Sequence, residues 1–198
     1  MNVALRKPMT LPQFLTWEER QEPRYELDGF QPVAMPDATI AQDMIGNTLR
    51  TLLSGRLHGK PCHVRGPTLK IEAMGRIRYP EAFVCRASVP PTETVIKDPV
   101  VVFEILGPGT SRTDRIEKLR ECQATQSIQR YVILEQDSIA ATVFARHGAD
   151  WVVHALIAED ILRLPEIEVE LPFTDIYADV QLPPQSDDAA ASGPSGSL

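Results

Sequence analysis

Apolar residues recur at helical spacing between residues 38 and 57, where Ile40, Met44, Ile45, Leu49, Leu52, Leu53 and Leu57 fall on one stripe. That stripe predicts the longest helix of the chain, with its apolar face on the core. His58-Gly59 followed by Pro61 ends it. Thr10 and Gln13 stand at capping-box spacing before FLTWEERQ and predict a first helix over 11–21. RYEL and FQPVAM flank Asp28-Gly29 and read as a hairpin with a tight turn.

Three strand candidates follow: CHVRGPTLKIE, YPEAFVC and VVVFEIL, with the Pro-rich SVPPTETV before the last. GPGTS is a turn, and Thr110, Ser111 and Thr113 are candidate caps for a helix over RIEKLRECQ. RYVILEQ, IAATVFAR and WVVHALI read as strands, the last two joined by a hairpin at His147-Gly148-Ala149-Asp150. IEVELP and FTDIYADV predict a short strand and a final helical turn. A helix between strands gives a partly parallel centre, and the later hairpins add antiparallel edges. The fold class is mixed α/β (α+β), with one sheet at its core. Residues 1–182 form the domain, and the low-complexity stretch over 183–198 is too poor in apolar residues to fold.

The 198 residues are 43% hydrophobic and 24% charged, the composition of a soluble globular chain. No apolar run approaches the roughly 18 residues a membrane-spanning helix needs. The start, MNVALRKPMTLPQF, lacks the pattern of a secretion signal. Cys62, Cys85 and Cys122 form no CxxC pair, and reduced thiols in a cytoplasm are the simplest account. The net charge of −7 is unevenly spread. Residues 54–86 hold seven basic against two acidic side chains, and residues 133–180 hold ten acidic against two basic. A basic stretch beside an acidic one fits a phosphate partner better than the total does, although a solvated charge mix reads equally well.

Three acids share a peculiar setting. Glu26, Glu81 and Glu104 each lie in a strand candidate among apolar or aromatic neighbours. A lone buried carboxylate is costly unless a basic side chain or a metal compensates it. By strand alternation Glu81 shares a face with Phe83, and Glu104 shares one with Val102 and Leu106. If their strands are adjacent, the two carboxylates converge at one rim of the sheet. Two carboxylates beside a wet cleft suit a hard cation such as Mg²⁺, with waters and phosphate oxygens completing the octahedron. Lys118 lies one helix later, where an ammonium could orient a metal-bound water. It also stands four residues after Asp114, the spacing of an ordinary surface ion pair. Glu26 equally suits the solvent-facing half of an alternating strand, and Arg112 or Arg115 could pair with Glu104 without any chemistry. His58 and His63 read as surface residues, and Trp17 and Trp151 as packing anchors. GPGT lacks the rest of a phosphate-binding loop, and no GxSxG or cysteine–histidine signature is present.

In this order, RYELDG, the long helix, RYPE, VVFEILGPGTSRTDRIEKL and RYVILEQD resemble the Uma-type family of bacterial endonucleases, within the PD-(D/E)XK restriction-endonuclease-like superfamily. The resemblance runs from about Thr10 to Val180. It implies a central mixed β-sheet flanked by helices and a Mg²⁺-dependent site, open to Mn²⁺, for cutting phosphodiesters in nucleic acid, most simply DNA. It implies Glu81 and Glu104 as metal ligands, with the carbonyl of Ile105 as a further one. Glu26 falls on an auxiliary acid, and Lys118 takes the place of the superfamily lysine, whose usual position is Leu106 here. Glu81 replaces an aspartate, Ala41 stands where many members have histidine, and Cys122 where tyrosine is common. These departures motivate the alternative, a catalytically inactive module that binds nucleic acid or protein. A homodimer is expected of an enzyme that cuts both strands of a duplex.

Overall fold

The computed structural model describes residues 8–86, 89–107 and 112–183, with the side chains of 112–114 excepted. The expected tail over 183–198 lies outside the described residues from 184 onward, as do residues 108–110 of the GPGT turn and the caps Thr110 and Ser111. The side chains of Thr113, of Arg112 and of Asp114, the expected partner of Lys118, are likewise outside them.

The predicted long helix is α2 (Ile40–Leu57). Thr39 caps it: its Oγ1 accepts from Gln42 N at 3.1 Å, and its own N–H donates to Gln42 Oε1 at 2.9 Å. These two bonds satisfy donors that the first helical turn leaves unpaired. The helix α1 (Leu11–Glu18) begins at the predicted box, with Thr10 N donating to Gln13 Oε1 at 2.9 Å. The predicted hairpin is β1 (Tyr25–Asp28) with β2 (Gln31–Ala34), turning through Gly29 and Phe30, both at positive φ.

The core of the fold is a six-stranded mixed sheet. Its strands are β3 (Cys62–Arg65), β6 (Ala82–Arg86), β8 (Pro99–Ile105), β9 (Arg130–Leu134), β10 (Ala140–His147) and β11 (Asp150–Ile157), in the order β11-β10-β9-β8-β6-β3. Only β8 and β9 run parallel in it, joined through α3 (Arg112–Ala124), so the expected partly parallel centre is present. Alternation along β8 sends Val101, Phe103 and Ile105 into one cluster with Ile45, Leu49 and Leu53 of α2. Val102 and Leu106 go to the opposite face, with Phe83, Cys122 and Tyr131. Glu104 shares the parity of that second face, which α3 covers.

The single sheet expected is corrected by two additions. CHVRGPTLKIE is not one strand: it breaks at Gly66-Pro67, and its second half is β4 (Lys70–Ala73) of another sheet. That sheet also contains β5 (Arg76–Arg78) and β7 (Val95–Ile96), and runs β2-β1-β5-β4-β7. It packs on α1 through Phe14, Tyr25, Leu27, Ile77 and Tyr79. A two-stranded ribbon, β12 (Ile161–Leu164) with β13 (Val169–Pro172), closes over α2 with the short 3-10 turn Phe173–Tyr177. All three cysteines are buried and free.

Candidate active site

Glu104 lies one residue before the end of β8, with its side chain 14% exposed. Burial pushes its carboxyl up to about 7, with Lys118 opposing the shift and Glu26 and Glu81 adding to it. Lys118 of α3 answers that charge, with Nζ 3.4 Å from Glu104 Oε1 and 3.6 Å from Glu26 Oε1. The carboxylate in this apolar strand thus has a direct partner, and the ammonium bridges two of the three acids.

Glu26 is buried rather than the solvent-facing half of an alternation. Its Oε1 accepts from the backbone N–H of Tyr79 at 3.1 Å, and its Oε2 from Arg78 Nη1 at 3.1 Å. Arg78 in turn grips Glu121 of α3, with Nε to Oε2 at 2.7 Å and Nη2 to Oε1 at 2.6 Å. Strand β1 and helix α3 are therefore joined at this guanidinium. Charge-assisted, forked bonds of this kind fix geometry as well as add energy.

Glu81 departs from the alternation expected of it. Strand β6 starts at Ala82, so Glu81 sits in the bend before it. Ala82 pairs with Phe103, which brings Glu81 to the same end of the sheet as Glu104. Its carboxylate turns toward α2 rather than toward the face of Phe83. A Cβ at Gly46 would stand 3.6 Å from Glu81 Oε2 and only 2.9 Å from Arg50 Nη1, so a larger residue at 46 would press into this site. Burial raises the Glu81 carboxyl; Arg50 opposes that, Asp43 adds to it, and Arg24 and Lys118 oppose it further. Arg50 also donates to the Glu81 carbonyl at 3.0 Å.

The Ile105 carbonyl accepts from buried Gln42 Nε2 at 3.1 Å, which leaves one of its two lone pairs for another donor or a cation. Among the described residues no group of three or more His, Cys, Asp or Glu stands at metal-holding spacing. A hard cation at this end of the sheet would have to draw on Glu104 from the α3 side and Glu81 from the α2 side, with the Ile105 carbonyl as a further oxygen, and would keep most of its waters. Burial drives the Cys122 thiol strongly up, with Glu104 and Glu121 adding to it, so it stays neutral beside the acids.

The basic stretch 54–86 does not form one face. Lys70 is buried against Glu18 at 2.5 Å, and Arg76 pairs with Asp28, with Glu121 at 2.7 Å and with Glu117 at 3.8 Å. Arg78 is spent on Glu121 and Glu26, as described. Four residues that the sequence reading missed complete the site: Gln42, Arg50, Arg78 and Glu121. Gln42 carried a signal in its capping-box spacing after Thr39, and Arg78 opens the RYPE motif, whereas Arg50 and Glu121 carried none.

Residues 11–174 match the Uma2 family, described as "Putative restriction endonuclease". The chain belongs to the Uma2 family. This Uma2 chain is also 28% identical over 169 residues to the uncharacterized protein slr1290 of Synechocystis sp., covering 83% of this chain and 89% of that one. Its fold is similar to the crystal structure of a protein from Anabaena variabilis described as a putative nuclease belonging to DUF820. There the TM-score is 0.74 at 16% identity, covering 86% of this chain and 98% of the other. The restriction-endonuclease-like fold expected from the sequence is thus the fold this Uma2 member shares with a nuclease-like protein.

Proposed function

We propose that this Uma2 chain is a Mg²⁺-dependent endonuclease that hydrolyses phosphodiester bonds in DNA. One observation supports it above the rest: Lys118 stands between Glu26 and Glu104, with Glu81 at the same end of the sheet. In this reading Glu81 and Glu104 hold the cation, the Ile105 carbonyl adds an oxygen, and Mn²⁺ substitutes for Mg²⁺. The bound cation supplies Lewis acidity and a more acidic water.

The protein's own groups do the rest. Lys118 positions water by hydrogen bonding and stabilises the charge that develops on the phosphate. Glu26, held at both oxygens by Arg78 and the Tyr79 N–H, keeps the ammonium aimed at Glu104. Burial pushes the Glu104 carboxyl up to about 7, so a cation would have to displace its proton near neutral pH, and binding there is expected to strengthen as pH rises through that value. A homodimer would place two such sites on a duplex, one for each strand. Among the described residues no helix is long and apolar enough to cross a membrane. Three free cysteines fit a reducing cytoplasm.

The experiment is nicking of supercoiled plasmid by purified protein in Mg²⁺ and in Mn²⁺, with Glu104→Ala and Lys118→Ala prepared alongside. Nicking that both substitutions abolish is the expected outcome. Nicking that survives both, or its absence in either metal, overturns the reading, and its absence leaves the inactive binding module as the better account.

A further inference from the structure

Of the four edges of the two larger sheets, three are blunted and β11 is not. Strand β2 carries Pro32, β7 is two residues long, and β3 is four residues long and contains His63 and Arg65. Strand β11 is eight residues long and pairs with β10 without a bulge from Asp150 to Ile157. Its sequence, DWVVHALI, holds no Pro and no Lys, and its one acid, Asp150, stands at the hairpin end. Long, flat edges are normally interrupted by Pro, by charges or by bulges, because their free backbone groups otherwise pair with another strand. Val153 is 57% exposed, and Val152 and Ile157 are exposed with it.

The hairpin decides which backbone groups of β11 are free. Its two-residue turn, Gly148-Ala149, closes on His147 and Asp150 as a hydrogen-bonded pair, and bonded and open pairs alternate from there. Two bonds on the far side of β10 agree. Arg146 N donates to Gln129 O at 2.8 Å and Glu135 N to Ala140 O at 3.0 Å, so residues 146 and 140 face away from β11. The even-numbered residues of β11 therefore bond to β10, and Trp151, Val153, Ala155 and Ile157 turn their N–H and C=O outward. Ile157 uses both in the next turn: its N–H donates to Asp160 Oδ2 at 2.8 Å, and its carbonyl accepts from Asp160 N at 3.0 Å. Trp151, Val153 and Ala155 are left, and among the described residues their outward backbone groups have no partner.

The ends of this chain do not suit that edge. Residues 1–7 lead to Met9, whose N–H donates to the Phe30 carbonyl at 2.7 Å, in a hairpin of the other sheet. Residues 184–198 include no β-branched and no aromatic residue, so they make a poor strand. A second copy of β11 does suit it. Set antiparallel about a twofold axis at Val153, the strand pairs Trp151 with Ala155 of the second copy, Val153 with itself, and Ala155 with Trp151. Each of these is a hydrogen-bonded pair, so every free group on both edges finds a partner. The large indole meets a small methyl, the exposed Val153 covers itself, and Val152 on the other face meets His154. No like charges face each other in this register.

We infer that β11 is a self-pairing edge: two copies of this chain join their six-stranded sheets through antiparallel β11 strands, with Val153 facing Val153 of the second copy on the twofold axis. The inference uses none of the groups in the acidic site and stands apart from the nuclease reading. It names the surface on which two copies meet.

The test is sedimentation velocity of the full chain over a range of concentrations, for the wild type, Val153→Glu, Val153→Lys, the equimolar mixture of those two, and Val153→Pro. The wild type is expected to sediment as a dimer. Val153→Glu and Val153→Lys each set two like charges face to face on the axis, and each is expected to weaken association at least about tenfold. Their mixture sets opposite charges there, and association is expected to return as a heterodimer. Val153→Pro removes an outward N–H and no bond to β10, and is expected to weaken association as well. The side chain at 153 is mostly exposed, so the variants keep the fold, which thermal unfolding checks.

A wild type that stays monomeric at the highest concentration overturns the inference. So does a dimer that Val153→Glu and Val153→Lys both leave intact, since the contact then lies elsewhere on the chain. Loss of the dimer in both single variants without recovery in their mixture overturns it too, because Val153 is then not facing itself. Plasmid nicking that depends on Glu104 is scored separately, so either reading can fail while the other stands.

Discussion

Arg78 and Glu121 form a two-pronged buried ion pair, with 2.7 Å and 2.6 Å bonds, that ties β5 to α3. Glu121 is three residues after Lys118 on the same helix, and residues at that spacing share a face. The third arm of Arg78 reaches Glu26 at 3.1 Å. One guanidinium therefore sets both the carboxylate and the helix between which Lys118 is aimed.

Removing that guanidinium leaves buried Glu121 with Arg76 alone and buried Glu26 with only the Tyr79 N–H and Lys118. Arg78→Met is expected to cost about 3–5 kcal/mol in urea unfolding, the range for breaking a buried pair on one side. Arg78→Lys restores the charge but not the fork, and falls between the two. A loss below about 0.5 kcal/mol for Arg78→Met, the level of an ordinary surface change, would mean that the pair does not hold α3 in place.

Glu104 should make the metal-free protein less stable as pH rises. Its folded carboxyl keeps a proton up to about pH 7, whereas the ordinary value is 4.5. Between those values the native state binds more protons than the unfolded one, so stability falls as pH rises through the window and levels off above it. Glu104→Gln is therefore expected to raise Tm in EDTA at pH 8 and to change it little at pH 4. An equal gain at both pH values would show that the titration is not the cause.

Much of this architecture follows from the chain's own patterning. The stripe from Ile40 to Leu57, the hairpin after RYEL and the apolar run of β8 each bury the side that their periodicity marks. Strand β5 escapes such a reading because it is three residues long, and two of them, Arg76 and Arg78, are held among acids. Periodicity carries no sign of that, since both would count as exposed. The break at Gly66-Pro67 sends β3 and β4 to different sheets, and a strand candidate that spans it shows only continuous β propensity.

The site divides along the same line. Glu104 and Lys118 are 14 residues apart, joined through one strand end and one helix, and their meeting follows from local structure. Glu121 reaches Arg78 across 43 residues, and Gln42 reaches Ile105 across 63. Those partnerships exist only once the two sheets and α2 are packed. Glu81 shows the intermediate case: its place at the sheet end was legible, but the bend before β6 decides which way it turns.

On the proposed reading, Lys118 and an added cation would compete for the same carboxylate oxygens. With the ammonium gone, Glu104 loses its ion-pair partner and faces Glu26, which Arg78 still holds, so Lys118→Ala is expected to unfold at lower temperature than wild type in EDTA. Millimolar Mg²⁺ should then raise its Tm by more than it raises that of wild type, because the cation replaces a lost charge as well as binding. Nicking activity is expected to stay absent in the variant despite that tighter binding. A Mg²⁺-induced shift in Lys118→Ala no larger than in wild type would separate Lys118 from the metal site.

Gln42 performs two tasks with one amide, and its substitutions should separate them. Oε1 accepts from the Thr39 N–H at the start of α2, and Nε2 donates to the Ile105 carbonyl, itself adjacent to Glu104. Gln42→Ala loses both and is expected to cost about 1–2 kcal/mol, from the cap and the buried carbonyl together. Gln42→Glu keeps the cap acceptor but has no N–H for Ile105, and it adds a carboxylate near Glu104. In metal-free protein near neutral pH that variant should be the less stable of the two, because a further buried negative charge raises the cost of ionising Glu104. Millimolar Mg²⁺ should recover more of that loss for Gln42→Glu than for Gln42→Ala, as read by Tm. Equal recovery would place the Ile105 carbonyl and its amide partner outside the reach of the cation.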